Sequence, residues 1–302
     1  MLKQIGKNLL YIVPILIIGF ILSGCQSQSK TAASPNKQIS VVTTTNFYGE
    51  VAKQVLGNKG KVTSIINSSS IDPHDYEPTA TTAKEVTKAN VVIANGIGYD
   101  GWMDKLVKNS NKLDYIKVGE DIYHKKEGDN PHLWYKPETM PQLANLLAKK
   151  FGKMQPNNQK YFEQNAKKYI ASLKPVQNVI NDLKKVAKNS AKKNVYVSEP
   201  VFDYALESLG FKVADTAYEE AAENGTDPAP KVVKTMQEKI EQRQIAFFVF
   251  NKQVSSKNIK NLVELAKKNN VPVLPVTETP ENNATYKEWM LKQYHELQKI
   301  IN

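Results

Sequence analysis

Thiols are nearly missing from this chain: of its 302 residues one, Cys25, is a cysteine. An internal disulfide is excluded, as is a zinc site built from several thiolates, so stability has to come from a packed core. Histidine is scarce as well, with four in the chain. No His-Glu-x-x-His helix and no serine-centred nucleophile elbow occurs, so the common signatures of metallopeptidases and serine hydrolases are missing. Nor is there an apolar run of the roughly 20 residues that a membrane-spanning helix takes; the opening stretch, Leu9 to Leu22, is shorter and contains Pro14. Acidic residues number 30 against 41 basic ones, a formal net charge of +11. The lysines are scattered along predicted helices and form no compact basic block interleaved with aromatics. That pattern excludes a nucleic-acid surface and describes a solvated face near anionic lipid or cell-wall polymer. No tandem repeat is present.

The start of the chain has the layout of an exported precursor. Lys3 and Lys7 precede the apolar stretch, and the small residues Ser23 and Gly24 follow it. Leu22-Ser23-Gly24-Cys25 resembles the lipobox of bacterial lipoproteins. The resemblance implies that residues 1–24 are a signal peptide, that Cys25 becomes the first residue and carries a diacylglycerol on sulfur, and that its new amino end is acylated. Two or more acyl chains anchor stably, each buried methylene contributing about 0.8 kcal/mol. The protein is then expected to be lipid-anchored at the cell membrane and to work on its extracytoplasmic face. Residues 25–37 are rich in Gln, Ser, Ala, Asn and Pro and read as a flexible spacer.

From residue 38 onward, short β-branched runs alternate with helical spacing. Ile39 to Thr43, Val62 to Ile66, Val91 to Ala94 and Tyr115 to Val118 read as buried strands, with helices over Phe47 to Leu56, Thr81 to Ala89 and Pro137 to Phe151. This predicts an N-terminal α/β lobe over 38–155. Between 156 and 190 the apolar residues Phe162, Ala166, Tyr169, Leu173, Val176, Ile180, Leu183 and Val186 recur every three or four positions, which predicts one long linking helix. Pro175 should kink it or split it in two. A second series follows over 191–302: strands at Val195 to Ser198, Phe211 to Ala214, Ile245 to Phe250 and Val271 to Val276, and helices at Phe202 to Leu209, Lys231 to Arg243, Lys257 to Asn269 and Thr285 to Ile301. The fold class is therefore α/β, two similar lobes with largely parallel sheets joined by a long linking helix.

Two loops present a histidine after a proline: Pro73-His74, bracketed by Pro78, and Pro131-His132. A stiff loop that holds an imidazole in one direction suits a metal ligand, although a lone loop histidine is more often an ordinary surface residue. In the second lobe, Glu199 follows one predicted strand and Glu278 another, at the carboxyl ends where open α/β sheets bind ligands. Either glutamate alone reads as a surface charge. Together, His74, His132, Glu199 and Glu278 would make an N2O2 site across the cleft, suited to one divalent ion of borderline hardness.

Several ordered segments resemble one family, the metal-binding subunits of bacterial ABC importers for zinc and manganese, the cluster A-I group of solute-binding proteins. They are Thr45-Asn46-Phe47-Tyr48-Gly49-Glu50-Val51-Ala52, Pro73-His74-Asp75-Tyr76-Glu77-Pro78-Thr79, Asn130-Pro131-His132-Leu133-Trp134-Tyr135, Ser198-Glu199-Pro200-Val201-Phe202-Asp203-Tyr204 and Pro275-Val276-Thr277-Glu278-Thr279. The resemblance runs from about Ser40 to the C-terminus. It implies a metal held between two lobes and delivered to an ABC permease powered by its ATPase. His74 and His132 fall on the family's first two ligands. Glu199 falls on the third, which is histidine in typical zinc members and glutamate in typical manganese members. Glu278 stands where aspartate is usual, with Glu281 as a nearby substitute. His124, between Tyr123 and Lys125, and His295, on the last helix, read as solvated.

Carboxylates and imidazoles suit Mn²⁺ and Zn²⁺ alike, and the Irving–Williams order favours Zn²⁺ at an unconstrained site. The cargo is thus one divalent transition metal ion, Mn²⁺ or Zn²⁺. An extracytoplasmic metallohydrolase is the alternative of another class, and a surface adhesin a role that can coexist with transport; the chain is expected to be a monomer and not an enzyme.

Overall fold

In the computed structural model, the described residues are 38–301 apart from Asp72, His74, Asp75, Asn109, Asn111, Ser255, Asn282 and Asn283. Cys25, the leader and the spacer therefore lie outside the described residues, and so does His74. Among the described residues no helix is long and apolar enough to cross a membrane.

The order of elements in the first half is β1 (Ile39–Thr45), α1 (Asn46–Leu56), β2 (Gly60–Ile66), α2 (Ala80–Thr87), β3 (Val91–Ala94), α3 (Trp102–Val107), β4 (Asp114–Lys117) and α4 (Thr139–Met154). Two helices link the halves, α5 (Gln159–Ser172) and α6 (Lys174–Asn189). The second half runs β5 (Asn194–Val197), α7 (Asp203–Leu209), β6 (Lys212–Val213), α8 (Thr216–Glu223), α9 (Pro230–Glu241), β7 (Phe248–Asn251), α10 (Lys257–Lys268), β8 (Val273–Val276) and α11 (Tyr286–Ile301). Each half holds one four-stranded sheet, ordered β2-β1-β3-β4 and β6-β5-β7-β8, with every pair parallel. The two sheets share one strand order, so both have their switch point beside the first strand of the half. Strands covered by helices on both faces explain the unbroken β-branched runs, such as the fully buried Val-Val-Ile-Ala of β3.

The linking segment is split in two beside Pro175, one of the two outcomes expected of that proline. Leu173 ends α5, its N–H donating to the Ile170 carbonyl at 3.1 Å, and Pro175 sits in the first turn of α6. A proline there lacks only a donor that a helix start leaves unused, so the chain begins a new helix and is not strained inside one. α5 packs on α1 and α4, and α6 packs on α7 and α11.

One apolar cluster runs through both halves, and each half holds a smaller one on the other side of its sheet. Where they meet, Phe47 and Tyr135 of the first half touch Phe202 and Trp289 of the second, with ring centroids 5.0 Å apart for Tyr135 and Phe202, 5.6 Å for Tyr135 and Trp289, and 5.8 Å for Phe47 and Trp289. Buried hydroxyls fasten this seam: Tyr135 donates to the Thr277 carbonyl at 2.5 Å, and Tyr286 to the Trp134 carbonyl at 2.7 Å. All three tryptophans, Trp102, Trp134 and Trp289, are buried.

Candidate metal centre

His132 is posed from the first sheet. Asn95, just past β3, accepts from the Tyr48 hydroxyl at 2.6 Å and donates its amide to the Pro131 carbonyl at 2.9 Å, which fixes the residue ahead of the histidine. Asn130 Oδ1 accepts the His132 backbone N–H at 2.9 Å and lies 2.9 Å from Nδ1. Because that oxygen only accepts, Nδ1 carries the proton and Nε2 the lone pair, the tautomer a metal ligand needs. The ring is 1% exposed and meets Trp134 edge-on at 5.2 Å.

The loop after β3 brings in a further group. Gly96, Ile97 and Gly98 all have positive φ, and the Asp100 carboxylate gathers the turn by accepting from the backbone N–H groups of Asn95 at 2.7 Å and Gly96 at 2.9 Å. Burial pushes the Asp100 carboxyl up to about 6. The turn presents Tyr99, whose ring lies 6.3 Å from that of His132 and whose hydroxyl donates to Glu278 Oε1 at 2.8 Å.

The two glutamates come from the other sheet. Glu199 follows β5 in extended backbone before Pro200, and its Oε2 accepts from the Asn251 amide at the end of β7, at 2.9 Å. Glu278 follows β8 and is 8% exposed. Asn130, beside His132, donates to the Pro200 carbonyl at 2.8 Å, and the Tyr204 hydroxyl donates to the Asn130 carbonyl at 2.8 Å. His132, Glu199 and Glu278 thus stand at the carboxyl ends of the two sheets, linked across the lobe boundary through Tyr99 and Asn130. On either side of His74, the Pro73 carbonyl accepts from the Trp102 indole at 3.3 Å, and the Tyr76 ring lies 4.7 Å from Trp102. Among the described residues, no group of three or more His, Cys, Asp or Glu side chains is gathered to hold a metal ion.

The model of one family, described as zinc-uptake complex component A periplasmic, matches residues 41–300. The chain belongs to this family. Zinc-uptake component A relatives include a manganese ABC transporter substrate-binding lipoprotein, PsaA, of Streptococcus mitis, 28% identical over 290 residues that cover 90% of this chain and 88% of the relative. The metal ABC transporter substrate-binding lipoprotein FimA of Streptococcus parasanguinis is 30% identical over 289 residues, with the same coverage of 90% and 88%. Among solved structures, the Mn-bound periplasmic metal binding protein of candidatus Liberibacter asiaticus superposes with a TM-score of 0.70 at 18% identity, covering 88% of this chain and all of that one. The binding protein FpvC of P. aeruginosa, in complex with Ni²⁺, gives 0.71 at 20% identity, covering 88% and 97%. These structures show the two-lobe fold; members of the family are substrate-binding proteins of ABC transporters, not enzymes.

Glu281 is the weaker candidate of its pair, since it faces outward and is held by Lys252 at 2.8 Å and Lys292 at 3.2 Å. Those lysines hold its carboxyl below the usual range. His124 and His295 are exposed, as expected. The groups that sequence reasoning missed are Asn95, Tyr99, Asn251 and Gln253, none of which belongs to a ligand motif. Their roles depend on partners far along the chain.

Beside the Asn130 clasp, the buried Glu219 carboxyl lies against Asp203. Burial, with the charges of Asp203 and Asp215, pushes Glu219 up so that it holds its proton at neutral pH; burial also raises Asp203 and Asp215. An unfolded glutamate releases that proton near pH 4.3. Above that pH the folded state binds the extra proton, so its contribution is full in acid and is lost as pH rises toward the raised value. Glu219→Gln, which cannot ionise, should therefore flatten the fall of Tm between pH 6 and 9, by up to about 1.4 kcal/mol per pH unit of stability. Scanning calorimetry at stepped pH checks this; an unchanged slope contradicts it.

Proposed function

We propose that this chain is an extracytoplasmic capture protein that takes one divalent transition metal ion, Mn²⁺ or Zn²⁺, between its lobes and hands it to an ABC permease driven by its ATPase. The reading is carried by one observation: a buried histidine of the first lobe and carboxylates of the second stand at the carboxyl ends of like-ordered sheets, with Tyr99 bonded to Glu278 across the boundary. The ligand set proposed is His74, His132, Glu199 and Glu278. Two imidazoles and two carboxylates neutralise a divalent charge and suit either metal. Preference for manganese would then have to come from the geometry imposed by the loops, since Zn²⁺ wins at an unconstrained site of this kind. Lipid on Cys25 would keep the protein, as a monomer, at the outer membrane face beside its permease. The chain is proposed to bind without catalysing.

A ligand that binds the folded state alone stabilises it by mass action, about 2.7 kcal/mol at a concentration one hundred times Kd. Metal-free protein titrated with Mn²⁺ or Zn²⁺ should accordingly show Tm rising by several degrees in a thermal scan. A Tm unmoved by excess of either ion sinks the reading.

A further inference from the structure

The segment that leaves β7, Asn251-Lys252-Gln253, touches the Glu199 carboxylate, the Glu278 backbone and the other lobe as well. Asn251 donates its side-chain amide to Glu199 Oε2, donates its backbone N–H to Ser198 Oγ at 3.0 Å, and accepts the Gln253 N–H on Oδ1 at 3.0 Å. Gln253 follows with a side chain whose hydrogen-bonding capacity is engaged at both ends. Its Oε1 accepts the backbone N–H groups of Glu278 at 2.6 Å and Thr279 at 3.0 Å. Its Nε2 donates to Thr279 Oγ1 at 2.8 Å and, across the lobe boundary, to the Ser69 carbonyl at 2.8 Å. Ser69 belongs to the stretch that leads into His74. Gln253, Glu278 and Thr279 from one lobe and Ser69, Ser70, Ile71 and Pro73 from the other line one cavity of about 160 Å³.

We propose that Gln253 is a positioning residue of the metal centre: it sets the backbone of Glu278 and, through the Ser69 carbonyl, its register against the first lobe. The inference rests on the metal-capture reading above. A glutamine is the side chain for this task. Glutamate of the same length accepts the two backbone N–H groups but presents an oxygen, not an N–H, to the Ser69 carbonyl, and asparagine is one methylene shorter. Gln253→Glu therefore keeps the Glu278 backbone anchored while cutting the tie to the first lobe, and Gln253→Ala removes both.

The test uses the full-length chain, stripped of metal and titrated with Mn²⁺ alone. Free Mn²⁺ is followed by its electron paramagnetic resonance signal, and release is timed after addition of a chelator. Groups that orient ligands typically alter metal affinity 10–100-fold. The expected order is wild type tightest, Gln253→Glu about tenfold weaker with correspondingly faster release, and Gln253→Ala weaker still, with a changed spectrum of the bound ion in both variants. A purely structural role would lower the Tm of the metal-free protein and leave the bound-ion spectrum alone, and that result overturns the proposal. So do variants within twofold of wild type in both affinity and release rate. If Gln253→Ala does not fold, Gln253→Glu carries the test. Wild type that binds neither Mn²⁺ nor Zn²⁺ brings down the capture reading itself, a failure visible before any variant is compared.

Discussion

Replacing His132 with alanine is expected to weaken Mn²⁺ and Zn²⁺ binding by at least about 100-fold, beyond the loss typical of groups that merely orient a ligand, and to erase the metal-dependent rise in Tm. The imidazole is the one described nitrogen donor of the candidate set, and among the described residues no neighbour replaces it. Asn130, next but one, is committed to the Pro200 carbonyl and to the His132 backbone. The metal-free fold should survive. Asn130 Oδ1 still accepts the residue 132 backbone N–H when the ring is gone, so no buried acceptor is orphaned. What is lost is packing against Trp134 and Tyr99. Isothermal titration on metal-free wild type and variant gives the comparison, with a urea melt of each as control. Equal affinity in the two proteins would remove His132 from the ligand set. Acid should mimic the substitution, because protonated imidazole cannot coordinate.

Trp134→Ala is expected to cost on the order of 3–5 kcal/mol, the range for an aromatic deleted from a packed core. The indole is fully buried, with Phe47 at 4.9 Å and Tyr99 at 5.0 Å between ring centroids, and its backbone carbonyl holds the Tyr286 hydroxyl of the opposite lobe. The cavity would open among the rings of Phe47, Tyr99, His132 and Tyr135, beside the seam. Trp134→Phe should be far milder. Among the described residues the buried indole Nε1 has no hydrogen-bond partner, so phenylalanine trades lost area against an unsatisfied donor that disappears. Urea denaturation checks the pair of values; similar losses for Ala and Phe would mean that the ring's contacts matter less than the N–H.

The architecture was legible because its signal is local. Runs such as Val91 to Ala94 have no polar residue to mark an exposed face, and helices such as α10 repeat apolar residues at Ile259, Leu262, Val263 and Ala266, so strands and helices separate by period alone. What the sequence concealed was short or depended on distant partners. α3 has six residues and α8 buries little beyond Tyr218 and Glu219, too few for a period to show. The strand expected at Phe211 to Ala214 shrinks to Lys212–Val213 at the edge of its sheet, with one neighbour to pair with. The strand expected from Ile245 begins only at Phe248, although its lead-in already touches β5, Ala246 donating its backbone N–H to the Asn194 carbonyl at 2.7 Å. Of the candidate site, the Pro-His steps and the post-strand glutamates could be read as residue types in suggestive places. Tyr99, Asn251 and Gln253 could not. A neutral hydrogen-bonding side chain gains meaning only when its partner, 179 residues away for Tyr99 and 184 for the Gln253 bond to Ser69, is known to be near.

The aromatic seam has a mechanical corollary. Because one apolar cluster joins the halves, swinging them wide apart would expose Phe47, Tyr135, Phe202 and Trp289 to solvent, at roughly 1.5–3 kcal/mol for each large ring. Unfastening the rim asks much less: the polar clasps there are single bonds such as Tyr99 to Glu278, Asn130 to Pro200 and Gln253 to Ser69, each worth about 1 kcal/mol net. Opening at the lip, with the apolar cluster kept shut, is therefore much the cheaper motion.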